Sequence, residues 1–95
     1  MVQYSPNSLA FAAISDPTRR GILERLGRGN ASISELADTF AMTLTGLKKH
    51  VRVLEEANLV TTRKEGRVRT CTLGPSTLDA ETAWIAEYRR MVEER

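Results

Sequence analysis

Residues 42–59 read Met-Thr-Leu-Thr-Gly-Leu-Lys-Lys-His-Val-Arg-Val-Leu-Glu-Glu-Ala-Asn-Leu, a pattern typical of an amphipathic helix. The Thr43 hydroxyl can accept a backbone N–H of a first helical turn, and Asn58 tolerates the left-handed conformation common at helix ends. Apolar side chains recur at helical spacing, which places them on one face. That face carries Leu47, Val51 and Leu54. We therefore predict a helix over about 43–57 that directs this face at a core.

The opposite face of the same helix is polar and cationic. It carries Thr45, Lys48, Lys49 and Arg52. A helix of this kind can pack on a small core while it presents cations to a polyanion, so we interpret it as a DNA recognition helix that lies in the major groove. The pattern alone fits equally an ordinary amphipathic helix whose lysines are solvated, and the choice depends on the rest of the chain.

The composition is that of a small folded protein. The chain has 95 residues, of which 41% are hydrophobic and 27% charged, values typical of a globular domain near the lower size limit for a self-sufficient core. We expect one domain over residues 1–95. No apolar run approaches the length of a membrane span, and no basic segment followed by an apolar one begins the chain. We therefore expect a cytoplasmic protein without membrane contact.

The charge is unevenly distributed. Residues 43–73 carry seven Lys and Arg against three acids, a net charge of +4. Residues 1–42 are neutral and residues 74–95 carry −2. The positive potential is thus concentrated around the candidate recognition helix, as expected of a nucleic-acid interface and unlike a non-specific polycation.

Cap and breaker residues predict the helices that precede this region. A first short helix covers 5–14, and Asp16-Pro17 begins a second that Gly27 ends. A short extended piece at 31–33 leads to a third helix ending at Phe40, capped by Ser34 or by Ser32 with Glu35 in a capping box. A short helix, a turn and a longer basic helix form a helix-turn-helix. Gly21 inside the second helix indicates either a close contact or simple tolerance.

A β-hairpin follows over about 60–73, with its turn at Glu65-Gly66. Its basic residues are Arg63, Lys64, Arg67 and Arg69, the last two on one strand and directed the same way. These cations fit a solvated hairpin whose charges discourage aggregation. Beside a basic helix-turn-helix, a wing on the phosphate backbone or in the minor groove is the stronger interpretation.

A last helix, capped by Ser76 or Thr77, runs to the C-terminus with an apolar stripe wider than a small domain needs. The stripe either folds back on the first helix or meets a second subunit. We predict a two-fold interface between these helices in a homodimer. Its residues are Leu9, Phe11, Ile14, Leu78, Trp84, Ile85, Tyr88 and Val92. The fold class is therefore mostly α with a small β-hairpin wing, in the order α-α-(β)-α-α-β-β-α.

Four segments in this order resemble the ArsR-type winged helix-turn-helix repressors. The segments are Ala13-Ile-Ser-Asp-Pro-Thr-Arg-Arg-Gly-Ile-Leu-Glu-Arg-Leu26, Ser34-Glu-Leu-Ala37, Leu47-Lys-Lys-His-Val-Arg-Val-Leu-Glu-Glu-Ala-Asn-Leu-Val60 and Arg63-Lys-Glu-Gly-Arg67. Several motifs in the correct order are far more specific than any one alone. The resemblance implies a homodimer, joined by its first and last helices, that binds double-stranded DNA at an operator and represses transcription.

The chain also departs from that family. Metal-sensing members place a Cys-x-Cys pair near the helix that begins here at Ser32-Ile33-Ser34-Glu35, and neither cysteine is present. We therefore expect a non-metal-sensing member without a cofactor. Lys48 stands where a serine is common, and Leu44 and Gly46 replace polar residues. The operator sequence consequently does not carry over from relatives. Leu44 either touches a thymine methyl or packs inward.

Few residues suggest catalysis or regulation. His50 has no nucleophile at helical spacing, so it donates to phosphate or links two helices. Cys71 is the only cysteine, and a redox role would need a resolving partner or a cationic pocket, so an inert thiol is favoured. We expect no enzyme, and the sequence identifies no effector. The competing class is a winged helix that binds proteins and not specific DNA.

Overall fold

The computed structural model describes residues 6–95, and side chains from residue 8 onward. Its elements follow the predicted order. They are α1 (Pro6–Ile14), α2 (Pro17–Leu26), β1 (Ala31–Ser32), α3 (Ile33–Thr39), α4 (Leu44–Glu56), β2 (Val60–Glu65), β3 (Val68–Leu73) and α5 (Asp79–Glu94). Residue 5, where the first helix was predicted to begin, lies outside the described residues. The structure has the winged helix-turn-helix architecture that the sequence predicts.

The core forms where α2, α3 and α4 meet the sheet. Its largest fully buried side chains are Ile22, Leu36, Leu47, Val51, Leu54 and Cys71. The predicted apolar face of α4 is therefore confirmed as the buried one. Because the helical repeat carries side chains around the axis, the cations on the opposite face of α4 are directed outward.

Local capping sets the ends of α3 and α4. The Thr43 hydroxyl accepts the Gly46 N–H at 3.1 Å, and Asn58 takes the left-handed conformation with a φ of 60°. Both predictions for α4 are confirmed. For α3 the capping box belongs to Ser32, whose hydroxyl accepts the Glu35 N–H at 3.1 Å while the Glu35 carboxylate accepts the Ser32 N–H at 3.3 Å.

The predicted cap of α5 is wrong. Leu78 occupies the cap position with a φ of 60° and makes no side-chain cap hydrogen bond. The Ser76 hydroxyl instead accepts the Leu78 N–H at 3.2 Å, so it closes a local turn before the helix begins. The first turn of α5 carries Asp79 and Glu81, whose negative charges favour a helix N-terminus.

The sheet has three antiparallel strands in the order β1-β3-β2. In the hairpin Glu65 pairs with Val68, so the two-residue turn is Gly66-Arg67 and the predicted turn is one residue too early. Gly66 supplies the positive φ of 64° that such a turn requires. Arg67 therefore lies in the turn, and it does not share a strand with Arg69 as predicted.

Gly21 of α2 lies against Phe40, the residue that follows α3. A Cβ atom at this position would lie 2.8 Å from Cε1 of Phe40, closer than real Cβ atoms approach. The aromatic ring of Phe40 thus packs against the bare backbone of α2. Of the two explanations for a glycine inside this helix, the close contact is confirmed.

The capping box at α3 predicts unequal effects for two neighbouring serines. Ser32→Ala removes the acceptor of the Glu35 N–H and should lower the free energy of unfolding by about 1 kcal/mol. Ser34→Ala is the matched control, since Ser34 is exposed and caps nothing, and its effect should stay within about 0.5 kcal/mol. Urea denaturation of both variants measures the difference. Equal effects would contradict the assigned cap.

Candidate nucleic-acid interface

The first turns of α4 and the tip of the hairpin enclose a cleft of about 430 Å³, here called the basic cleft. One wall consists of Ser32, which caps α3, and of Ile33 and Ser34 in the first turn of that helix. The side chains from α4 and the hairpin are Leu44, Lys48, Lys64, Arg67, Val68 and Arg69. Four of these are exposed cations, so the recognition helix and the wing present one positive surface to solvent. Sequence reasoning named these four cations, and the fold brings them together.

A second depression continues this surface along α4. It has a volume of about 510 Å³ and shares Lys48 and Arg69 with the basic cleft. The other polar side chains that line it are Thr45, Lys49, Arg52 and Glu55. The predicted polar face of α4 therefore forms a continuous exposed strip beside the wing. The strip can follow a groove of duplex DNA, because cations at its edges match phosphates.

Strand register places two cations of the wing against each other. Lys64 lies directly opposite Arg69 in the antiparallel pair, so both side chains project from the same face. Like charges in this position destabilise a free hairpin. Arg63 pairs instead with Thr70 and lies by Asn30 on the other face of the sheet. Three of the four hairpin cations thus line the basic cleft, and Arg63 does not.

A short hydrogen-bond chain joins the wing to the recognition helix. Arg69 Nη1 donates to the Thr62 hydroxyl at 3.1 Å, and this hydroxyl donates to the Glu55 carboxylate at 2.9 Å. The chain holds Arg69 beside α4 and keeps the angle between the wing and the helix. Sequence reasoning missed Thr62 and Glu55, because their pairing depends on how β2 packs against α4.

A second set of polar contacts connects α4 to the first two helices. The Arg19 guanidinium donates to the carbonyl oxygens of Ala13 at 2.7 Å and Ala12 at 3.0 Å, and to Nδ1 of His50 at 3.1 Å. A guanidinium only donates, so Nδ1 of His50 accepts and the ring proton lies on Nε2. These contacts favour the interhelical role of His50, while its contact with DNA phosphate stays a prediction.

Asp16 completes this connection at the start of α2. Its carboxylate accepts the Arg19 backbone N–H at 3.0 Å and lies 4.0 Å from Nδ1 of His50. The hydrogen bond from the Arg19 backbone N–H holds the pKa of Asp16 below its ordinary value, helped by the positive charge of the Arg19 side chain and opposed by partial burial. Sequence reasoning identified Asp16 only as a cap and missed Arg19. Arg19 contacts His50 of α4, which lies 31 residues further along the chain, and no local pattern reveals such a contact.

Leu44, the first residue of α4, is 48% exposed. Its side chain lines the basic cleft. The inward alternative for this residue is therefore wrong, since the burial along α4 begins at Leu47. Thr43 and Thr45, on either side of Leu44, are also exposed.

Known proteins with similar sequences and structures agree with this geometry. A family model described as a helix-turn-helix domain matches residues 14–63. HTH-type transcriptional regulator Rv2034 of Mycobacterium tuberculosis is 36% identical over 80 residues, covering 84% of this chain and 75% of that protein. Transcriptional repressor SdpR of Bacillus subtilis is 28% identical over 78 residues, which cover 82% of this chain and 87% of that protein. The crystal structure of an ArsR family transcriptional regulator aligns with a TM-score of 0.84 at 44% identity, over 100% of this chain and 99% of that one.

This chain belongs to the ArsR-type family of transcriptional regulators. The family resemblance seen in the sequence is thereby confirmed. Its relatives are transcriptional regulators, a non-enzymatic class, which confirms the expectation that the chain is not an enzyme. Within residues 6–95, His, Cys, Asp and Glu side chains form no group of three that could hold a metal ion. No helix in that range is both long and apolar enough to span a membrane.

The apolar face of α5 in this ArsR-type chain is largely uncovered. Trp84 packs edge-on against Phe11 of α1, with ring centroids 5.8 Å apart, and Tyr88 stacks on Trp84 at 5.7 Å. Beyond this contact Ile85 and Val92 are exposed, whereas the predicted interface residues Leu9, Ile14 and Leu78 lie half-buried against the subunit's own core. Folding back on α1 therefore accounts for one end of the stripe only.

The single thiol of the chain is inaccessible. Cys71 is fully buried on β3, where removal from solvent raises its pKa to about 11, with a further contribution from the negative charge of Glu55 and an opposing one from Arg69. The thiolate is the reactive form, so this environment favours the inert interpretation.

Burial of Cys71 predicts slow alkylation in the native protein. A pKa near 11 in place of 9.0 lowers the thiolate fraction near pH 8 by roughly 100-fold. Native protein should therefore react with iodoacetamide at least that much more slowly than the chain unfolded in urea, which serves as the internal control. Mass spectrometry of timed samples measures both rates. Rapid labelling of the native thiol would contradict its burial and reopen a redox role.

Proposed function

We propose that this chain acts as a homodimeric, sequence-specific transcriptional repressor that binds an inverted-repeat operator. In this proposal residues 1–95 form one DNA-binding domain, with α4 in the major groove and the wing on the backbone or in the minor groove. The first and last helices form the dimer interface. The protein works in the cytoplasm, where DNA is accessible to it.

The observation that carries the proposal is the convergence of cations from α4 and the wing on one surface. Lys48, Lys64, Arg67 and Arg69 line the basic cleft, and Lys49 and Arg52 extend it. Among hydrogen bonds and ion pairs described for residues 6–95, no carboxylate contacts any of these six side chains directly, and Glu55 reaches Arg69 only through the Thr62 hydroxyl. A polyanion such as the DNA backbone supplies the missing negative charge. The relatives' names as regulators and repressors support the same function.

The dimer is supported by the uncovered face of α5. Ile85 is 46% exposed and Tyr88 51%, and they share one side of a 16-residue helix with Met91 and Val92. Monomeric soluble proteins rarely leave such a contiguous apolar strip in water. Pairing with a second copy about a two-fold axis buries it. That symmetry sets two copies of α4 about 34 Å apart on one side of the duplex, which requires inverted half-sites.

The competing function, docking to another protein without specific DNA binding, differs in its salt dependence. A surface that contacts several phosphates shows a steep linear fall of log affinity with log salt, because each contact releases counterions. A protein-docking domain shows weak DNA binding that does not distinguish sequences. Footprinting on DNA that flanks the gene for this protein tests whether a protected inverted repeat exists.

We predict that two arginines of the wing differ in their contribution to the slope of log DNA affinity against log salt concentration. Arg67→Ala removes a cation at the tip of the basic cleft and should lower the slope by about one unit per subunit, with equal weakening on every duplex. Arg63→Ala is the matched control, because Arg63 lies on the other face of the sheet. Fluorescence anisotropy at several salt concentrations measures both slopes. Equal slopes for both variants and the unmutated protein would mean that the wing is only solvated.

We predict that a charge on the uncovered face of α5 dissociates the proposed dimer. Ile85→Glu places a carboxylate in the proposed interface, so the mass in solution should fall from twice 10.6 kDa to 10.6 kDa and operator binding should be lost. Since Ile85 is half-exposed in one chain, the helical content of the monomer should be retained. Sedimentation at micromolar concentration and circular dichroism measure these outcomes.

Ala86→Glu serves as the control for the dimer test. Ala86 is exposed and lies about 160° around α5 from Tyr88, away from the apolar strip, so the same charge there should leave the dimer intact. A monomer in the unmutated protein at micromolar concentration would overturn both the dimer and the inverted-repeat operator.

A further inference from the structure

One exposed apolar side chain of α4 lies among the cations of the basic cleft. Leu44 is 48% exposed and shares the basic cleft with four cations. A single exposed leucine is common and needs no explanation by itself. The surroundings of Leu44 indicate the chemistry of a partner. The four cations favour a polyanion, and Leu44 can contact an apolar group of that polyanion.

The position of Leu44 on the helix brings it near base edges if α4 lies in the major groove. Recognition helices present their N-terminal residues to the bases. Leu44 is the first residue of α4, and Lys48 lies one turn later on the same face. The cap at Thr43 fixes this first turn, so the leucine is held on ordered backbone and not on a loose loop.

The major groove of DNA displays one apolar group on the edges of unmodified bases, the C5-methyl group of thymine. We propose that Leu44 contacts this methyl group and thereby sets a preference for thymine at one position of each half-site. This inference rests on the proposed function, because it requires α4 to lie in the major groove. It adds to that function a residue that discriminates by apolar contact and not by hydrogen bonding.

The proposal makes the methyl group itself the recognised feature. Deoxyuridine pairs like thymidine and keeps the O4 acceptor, so it differs in the groove only by the missing methyl. Loss of this methyl group from its contact with Leu44 should weaken DNA binding by about fourfold. The effect should be insensitive to salt, because no phosphate contact changes.

The experiment begins with selection of binding sites from a randomised duplex library by the unmutated full chain. The enriched duplex is then resynthesised with deoxyuridine in place of each thymidine in turn, and with 5-methylcytosine in place of each cytosine in turn. Affinities are measured for the unmutated protein and for Leu44→Ala. One thymine per half-site should show the roughly fourfold loss in the unmutated protein. Leu44→Ala should bind the thymidine and deoxyuridine duplexes equally, with an unchanged salt slope.

Two further variants separate this role from a general loss of apolar surface. Val68→Ala truncates the exposed apolar residue on the wing side of the basic cleft, and Leu73→Ala truncates an equally exposed leucine outside it. Both should keep the full sensitivity to the thymine methyl. Circular dichroism of Leu44→Ala checks that α4 still forms.

Three outcomes overturn the inference. Deoxyuridine tolerated at every position by the unmutated protein would exclude a methyl contact. Sensitivity that persists in Leu44→Ala would assign the contact to another side chain. A gain in affinity only with 5-methylcytosine would assign the site to a methylated cytosine in place of thymine. Failure of the library to yield any enriched duplex would instead refute the proposed function, and this inference with it.

Discussion

The buried face of α4 determines how this protein presents its charge. Leu47, Val51 and Leu54 are fully buried in the hydrophobic core. Because the helix repeats every 3.6 residues, burying these three side chains leaves Lys48, Lys49 and Arg52 no orientation except toward solvent. The core thus aligns the recognition surface, and a change that loosened the packing of α4 would also disperse its cations.

Polar contacts at both sides refine the orientation that the core sets. Arg19 connects α4 to the carbonyl end of α1 through His50, and Glu55 connects it to the wing through Thr62 and Arg69. Hydrogen bonds from charged groups are stronger and more directional than apolar contacts. A rigid helix held in this way is what base readout requires, since small displacements would misplace every side chain that reaches the groove.

The same surface is unfavourable in the free protein. Lys64 and Arg69 face each other across two strands, and Leu44 remains half in water. Neither arrangement stabilises the isolated chain. Local rules are commonly broken at functional sites, where a partner provides the missing interaction. The uncovered strip on α5 follows the same principle, with a second copy of the chain as the proposed partner.

The sequence by itself determined many features that depend on residues a few positions apart, although it misplaced the cap of α5 and the turn of the hairpin. The apolar period of α4, the caps at Asp16 and Thr43 and the left-handed end at Asn58 involve contacts within one or two turns, so all were predictable. The family resemblance and the basic middle third of the chain likewise needed no coordinates. These local features were enough for the fold class and for most of the candidate interface.

Only the tertiary structure decided the features that depend on distant residues or on exact register. Arg67 lies in the turn because the pairing of Glu65 with Val68 sets it there, and one residue of register changes which way a side chain points. His50 meets Arg19 across 31 residues. Leu44 is exposed because α3 and the wing leave the cleft open, which no pattern within α4 could show. Such contacts arise from packing between elements, and packing is not encoded in local spacing.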